Sequence, residues 1–225
     1  MEEQGMSNLA DPGLLAAWLA ARSIARGLAL PVPDHGGWRV DTDLPGEIRR
    51  HVFAGPCSGI SALAAAIHGP HIFIKMCGDG EQLLGLLPPR WQLCPGGYFM
   101  THEGSLQAPD LPAGYRLDVA TSQEITTAHI LAEDGGIAAS GHAVEYAGVF
   151  VFDRIVTEAG HRRRGLGRAL MAALAARQRS ASARRVLVAT DDGAKLYASL
   201  GWHSESPYST ATIVQAGIPC SLSGS

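Results

Sequence analysis

Lysine is nearly missing from this 225-residue sequence: Lys75 and Lys195 are the only two, and the other basic residues are arginines. With the abundant alanine, that skew points to a GC-rich genome and carries no mechanism. Cysteine is equally sparse. Cys57, Cys77, Cys94 and Cys220 show no CxxC spacing, which argues against a zinc site or a disulfide framework and for free thiols. No apolar run approaches the length that crosses a bilayer, so no membrane partner is expected. The opening MEEQGMSNLADPG is acidic ahead of its first apolar segment, the wrong order for a secretory signal, and a cytoplasmic location is the expectation. A net charge of -3 lacks the basic balance of a bulk nucleic-acid binder. What remains is an ordinary folding composition, 46% hydrophobic, long enough for one large domain or two small ones with a sizeable core.

Along the chain, a first helix is expected over residues 12–26, with Asp11 as cap, Pro12 at its first position and Leu14, Leu15, Trp18 and Leu19 on one face. Strands are expected near 38–40, 51–53, 71–76 and 97–101, with helices over 58–67 and 81–87. This first part is αβ in character and holds no chemical motif. Prolines and glycines over 103–114 suggest a boundary, giving an N-terminal αβ subdomain over 1–105 and a second domain over 111–225. The second domain reads as strands at 115–119, 125–131 and 137–145, joined by turns. The run VFVFDRIVT, residues 149–157, is apolar at neighbouring as well as alternate positions and belongs in the middle of a sheet. A helix follows, in which Leu166, Leu170, Met171 and Leu174 fall at helical spacing. Then come a buried-type strand (185–190), a short helix (194–200) ended by Gly201, and a last strand within 202–214. No internal repeat stands out.

Between strand 149–157 and its helix lies HRRRGLGRAL. A helix start carries unpaired N–H groups and partial positive charge. Placing Arg162, Arg163, Arg164 and Arg168 there, around the bare backbone of Gly165 and Gly167, builds a site for phosphate or pyrophosphate. The Walker loop is excluded because no Gly-Lys-Ser or Gly-Lys-Thr is present. The dinucleotide fingerprint is excluded because Leu170 stands where its third small residue would be. The competing reading of the same residues is a solvated basic turn.

A buried strand followed by Arg-x-x-Gly-x-Gly at a helix start, here Arg162, Gly165 and Gly167, resembles the acetyl-CoA signature of the GNAT superfamily of N-acetyltransferases. RVLVATDDGAKLYASLGW, residues 185–202, resembles the next strand and helix of that family. The resemblance implies an α+β fold with a mixed, mostly antiparallel central sheet flanked by helices, and acetyl-CoA as cosubstrate with no metal. It implies that Ile155, Val156 and Thr157 offer backbone groups to the pantetheine arm. The stretch Arg162, Arg163, Arg164, Gly165, Leu166, Gly167 and Arg168 would hold the pyrophosphate. Tyr197 matches the tyrosine that protonates the leaving thiolate. For a general base, Glu145, His142 and Asp153 are candidates, with Glu145 preferred. His142, Glu145, Tyr146, Trp202 and Tyr208 are candidates for contact with the acceptor, a small-molecule primary amine such as an amino-acid-like metabolite or an amine antibiotic.

Two departures matter. Ala159 stands where many relatives have proline. Residues 122–124 leave no room for the helices that commonly line the acceptor pocket, so either the N-terminal part or a homodimer partner must supply that wall. The N-terminal part reads weakly as a degenerate copy of the same fold. The competing functions are a CoA-binding regulatory pseudo-enzyme and, ranked last, nucleic-acid contact through residues 162–185, which carry eight arginines and no acid.

Overall fold

A computed structural model describes residues 10–107 and 109–214. In chain order the elements are α1 (Pro12–Ala25), β1 (Val32–Asp34), β2 (Gly37–Leu44), β3 (Glu47–Phe53), α2 (Ser58–Ala66), β4 (Ile72–Cys77), α3 (Gly80–Gly85), β5 (Gln92–Leu93) and β6 (Gly97–His102). They continue with β7 (Tyr115–Ser122), β8 (Ile125–Ala132), β9 (Ile137–Tyr146), β10 (Val149–Thr157), α4 (Leu166–Ala175), β11 (Arg184–Thr190), α5 (Asp191–Ser199) and β12 (His203–Thr212). Asp11 caps α1 by accepting a 2.6 Å hydrogen bond from the Leu14 amide, and Pro12 occupies the first turn, as the sequence predicts. The last helix begins earlier than expected. Thr190 caps it, accepting from the Gly193 amide at 3.2 Å, so Asp191 and Asp192 form its first turn.

All the strands join one twelve-stranded sheet in the order β1-β2-β3-β4-β12-β6-β11-β10-β9-β8-β7, with β5 attached to β12. The pairing is antiparallel except for two pairs, β3 with β4 and β10 with β11. Each parallel pair is joined through a helix, as a parallel crossover requires: α2 in the first case and α4 in the second. After each pair comes another helix and then a strand that crosses to the other side. Thus β6, which precedes residue 105, lies against β11, while the C-terminal β12 lies against β4, and β6 pairs with β12 at the centre. The sheet therefore runs uninterrupted through the expected boundary.

Three apolar clusters cover the sheet. Helices α4 and α5 bury Leu166, Leu170, Leu174 and Tyr197 against Phe150, Phe152 and Leu187. Helices α2 and α3 cover Phe53, Ile74 and Met76. On the opposite face α1 buries Leu15, Trp18 and Leu19 against Val144, Val151, Val186 and Tyr208. Trp18 sits edge-on to Phe99 (5.5 Å) and Tyr208 (5.8 Å), over the seam where β6 meets β12. Cys57 and Cys77 are free thiols, but Cys94 is disulfide-bonded, which corrects the expectation of free thiols there; Cys220 lies outside the described residues.

Candidate acyl-transfer site

Strands β10 and β11 are in register only from Val149↔Arg184 to Val151↔Val186. Beyond Val151 they part. On its other side β10 also skips, because pairing with β9 shifts between Asp153 and Val156, and Arg154 takes a left-handed φ of 54°. A bulge of this kind bends a strand and re-aims its side chains. The opening is lined by Phe152, Asp153, Arg154 and Ile155 from β10, by β11 from Leu187 to Thr190, and by Gly193 and Tyr197 of α5. Backbone N–H and C=O groups on the β11 side of β10 have no strand partner there, and such groups demand one. Ile155, at the cleft wall, and Val156 and Thr157, farther along β10, belong to the segment of that strand unpaired with β11.

Where β10 ends, a 3-10 turn (Ala159–His161) leads into the arginine loop. Arg163 and Gly165 both have positive φ, 60° and 77°, and Gly165 stands at the N-cap of α4 without any side-chain cap. The first amides of α4 are therefore not satisfied by a capping side chain. Arg162, Arg163, Arg164 and Arg168 are exposed around them, Gly167 is half-buried, and Leu166 anchors the helix in the core. Arg162 Nε donates to the Thr157 carbonyl at 3.2 Å. The loop is also tied to β7: Arg164 Nη1 donates to the Tyr115 hydroxyl at 3.0 Å, and that hydroxyl lies 2.9 Å from His161 Nδ1. Tyr115 was invisible as a site residue in the sequence because its partners lie 46 and 49 positions away.

Tyr197 reaches the cleft from α5 with 9% of its surface exposed, its ring 5.8 Å from that of Trp202. Burial pushes its phenol up to about 12, so it stays protonated at any ordinary pH. Its hydroxyl has no hydrogen-bond partner among the described residues. Tyr197 thus borders the opening on the α5 side, and the arginine loop continues from the β10 strand that borders it on the other.

Glu145 is elsewhere. It pairs with Phe150 at the closed end of the strands, and its carboxylate accepts from the amides of Arg179 (2.6 Å) and Ser180 (3.0 Å), fastening the turn after α4. Tyr146 is at that same end. Trp202 packs among His102, Phe152 and Tyr197 in the α4–α5 layer. His142 and Tyr208, by contrast, both lie on the α1 face of the sheet. His142 neighbours Asp153 across the ladder and meets the Thr127 hydroxyl at 3.1 Å; burial and the nearby Arg154 charge lower its pKa, so the neutral imidazole dominates at pH 7.

Asp153 does not pair with Arg154, its neighbour. It accepts from Arg26 Nε (2.6 Å) and Nη2 (2.8 Å) and lies 3.4 Å from Arg22, both arginines coming from the α1 end. Burial raises the Asp153 pKa, but the Arg26 hydrogen bonds and the charges of Arg22, Arg26 and Arg154 outweigh it and hold it below 3.8. Helix α1 from the N-terminal part therefore walls the side of the cleft opposite α4. Among the described residues no group of three metal-ligating side chains occurs, and no helix is long and apolar enough to cross a membrane.

The fold that carries this arrangement is matched by known proteins. Residues 125–204 match the family model described as an acetyltransferase (GNAT) domain. The structure resembles a GCN5-related N-acetyltransferase from Kribbella flavida at 16% identity and a TM-score of 0.64, covering 93% of this chain and 98% of that one. A protein of the GNAT family from Novosphingobium aromaticivorans DSM 12444 matches at 17% identity and a TM-score of 0.53, over 88% and 96% of the two chains. A tandem GNAT protein from the clavulanic acid biosynthesis pathway matches at 14% identity and a TM-score of 0.52, over 71% and 69%. Curated proteins give no match. The molecule shares the fold of these solved structures, mixed and mostly antiparallel with flanking helices, and its residues 125–204 match the GNAT acetyltransferase family model.

Proposed function

We propose that the protein transfers an acetyl group from acetyl-CoA to the primary amine of a small molecule by direct attack, with no covalent enzyme intermediate. One observation carries the reading: β10 parts from β11 after Val151, the gap is bordered by Tyr197, and β10 then leads into the arginine loop and the uncapped start of α4. The residues fit the group. Exposed arginines and uncapped amides at Gly165 suit a pyrophosphate, and the free backbone edge of β10 suits the amide-bearing arm. When bound, acetyl-CoA supplies an acyl carbonyl activated by its thioester.

The chain's own residues supply positioning and protons. The N–H groups of the β10 bulge stand where a developing negative charge on the acyl oxygen can be met. Tyr197, kept neutral by burial, is the donor for the departing sulfur. Glu145 is fully engaged in a structural turn and Asp153 is held by two arginines, so neither serves as base; His142 is the neutral nitrogen base of the acceptor face. Calorimetric titration with acetyl-CoA tests the reading, with micromolar binding expected. Gly165→Asp, which puts a carboxylate and a strained φ into the cradle, should weaken binding by about 100-fold or more. A wild-type protein that does not bind acetyl-CoA would refute the proposal.

A further inference from the structure

At the bulge two residues of β10 oppose one of β9. Asp153 pairs with His142 and Val156 with Ser140, so Arg154 and Ile155 share the position opposite Gly141. Ile155 takes the α4 side, where a Cβ on Gly141 would come within 2.5 Å of its Cδ1. Arg154 is the extra residue. Its left-handed φ falls inside a strand, whereas Gln123 and Ala147, also at positive φ, sit in hairpin turns. A backbone strained in this way is held by its surroundings, and such residues cluster at functional sites. Arg154 lines the cleft, is exposed, and among the described residues makes no hydrogen bond or ion pair.

Its neighbouring carboxylate is already taken. Asp153 accepts two hydrogen bonds from Arg26 and lies against Arg22, and Glu47, the other buried carboxylate among the described residues, pairs with Arg50. Asp191 and Asp192 open α5 in the layer on the opposite face, and Glu158 lies past the end of β10. The α1 side of the cleft therefore sets the arginines 22, 26 and 154 against a single carboxylate, a balance that repels a polycation and draws an anion. The approach is open. Helix α1 ends at Ala25, and its cover of the sheet ends there too: Val151 and Asp153 are buried, while Val156 on the same face is 40% exposed.

We infer that Arg154 receives the carboxylate of the acceptor, which is therefore an amino acid and not a polycationic amine. This assignment rests on the acetyltransferase reading and adds a substrate class to it. A guanidinium meets a carboxylate through two parallel N–H···O bonds, a fit that an ammonium does not reproduce. In that reading the N–H groups of the same bulge face the acyl oxygen, so the side chain of Arg154 reaches a carboxylate only a few bonds from the attacking amine. An α- or β-amino acid has that spacing. His142, across the ladder from Asp153, is on the same face to take the proton of the amine.

The test measures acetylation of the standard amino acids, β-alanine and spermidine by wild type, Arg154→Gln and Arg154→Lys. Each amino acid that reacts is paired with the amine lacking its carboxylate, as leucine with 3-methylbutylamine. Arg154→Gln should lower the amino-acid-to-amine ratio of kcat/KM about tenfold or more, the worth of a charge-assisted pair, and the unequal basicities of the two amines cancel in that comparison. Arg154→Lys should restore part of the ratio, which a folding defect or a purely structural bulge residue would not do. A wild-type preference for spermidine, an equal loss on both members of every pair, or no acetylation of any amino acid each overturns the inference. Failure of the wild type to bind acetyl-CoA overturns the acetyltransferase reading separately.

Discussion

Strands β3 and β10 occupy matching places: each opens a parallel pair, each feeds a helix, and after each pair a further helix precedes a strand, β6 or β12, that crosses to the opposite half of the sheet. Their ends differ. The pairing of β3 with β4 continues without interruption from Arg49↔Ile72 to Phe53↔Met76, whereas β10 leaves β11 after Val151. Phe53 is fully buried where β3 ends; β10 instead carries Asp153 into a bulge and fixes it to Arg22 and Arg26. The turns diverge too. After β3 the chain reads AGPCSG without an arginine, and a Cβ on Gly59 in the first turn of α2 would overlap the His35 carbonyl oxygen. After β10 the helix start at Gly165 meets nothing within 4 Å. The same supersecondary plan thus yields a packed closure in one half and an open cleft beside an arginine-rich loop in the other. What distinguishes them is the buried Asp153–Arg22–Arg26 cluster and how closely neighbouring backbone approaches the helix start.

The comparison can be broken at its strongest point first. Asp153→Asn leaves two arginine charges without their carboxylate and should cost about 3 kcal/mol of stability, read from denaturant unfolding. Because the folded pKa of Asp153 lies below its unfolded value, its contribution is complete above 3.8 and is lost as the pH falls from there toward the folded value. The gap between wild type and variant should accordingly narrow in acid; a gap that holds constant would mean that the pairing does not stabilise the bulge. Next in size, Tyr197→Phe should lower kcat roughly 100-fold with little change in acetyl-CoA affinity, if the phenol is the proton donor. An unchanged kcat would leave Tyr197 a packing residue.

In the closed half, Gly59→Ala forces α2 away from His35 and should destabilise by about 2 kcal/mol in a thermal or denaturant melt, without altering acetyl-CoA affinity. A loss of affinity there would mean that the first half takes part in cofactor binding. The smallest effect is expected from Tyr115→Phe. Removing the hydroxyl shared by Arg164 and His161 should loosen the loop and weaken acetyl-CoA binding by roughly five- to tenfold, about 1 kcal/mol, by calorimetry.

Much of the local structure was legible before any coordinates. The Asp11–Pro12 start of α1, the doubly buried β10 and the glycine-opened α4 depend on neighbours in sequence, and each lies where the residues indicate. The arginine loop was legible for the same reason. Glu145 misled because its strand gives no clue to which end of β10 is open; that depends on the register with β11. Asp153 suggested a pair with adjacent Arg154, yet its partners are 127 and 131 positions away. The exchange of β6 and β12 left no trace as an internal repeat, since the two halves share topology while differing in nearly every side chain.

The sequence by itself determined where helices start, which strand is central and where arginines gather around a glycine-opened helix, because caps, glycine conformations and alternating apolar positions act within a few residues. The tertiary structure alone decided that β10 and β11 part, that α1 walls the cleft and that Arg22 and Arg26 take Asp153, leaving Arg154 exposed. Those outcomes rest on strand register and on ion pairs spanning more than a hundred residues, and no local preference encodes either.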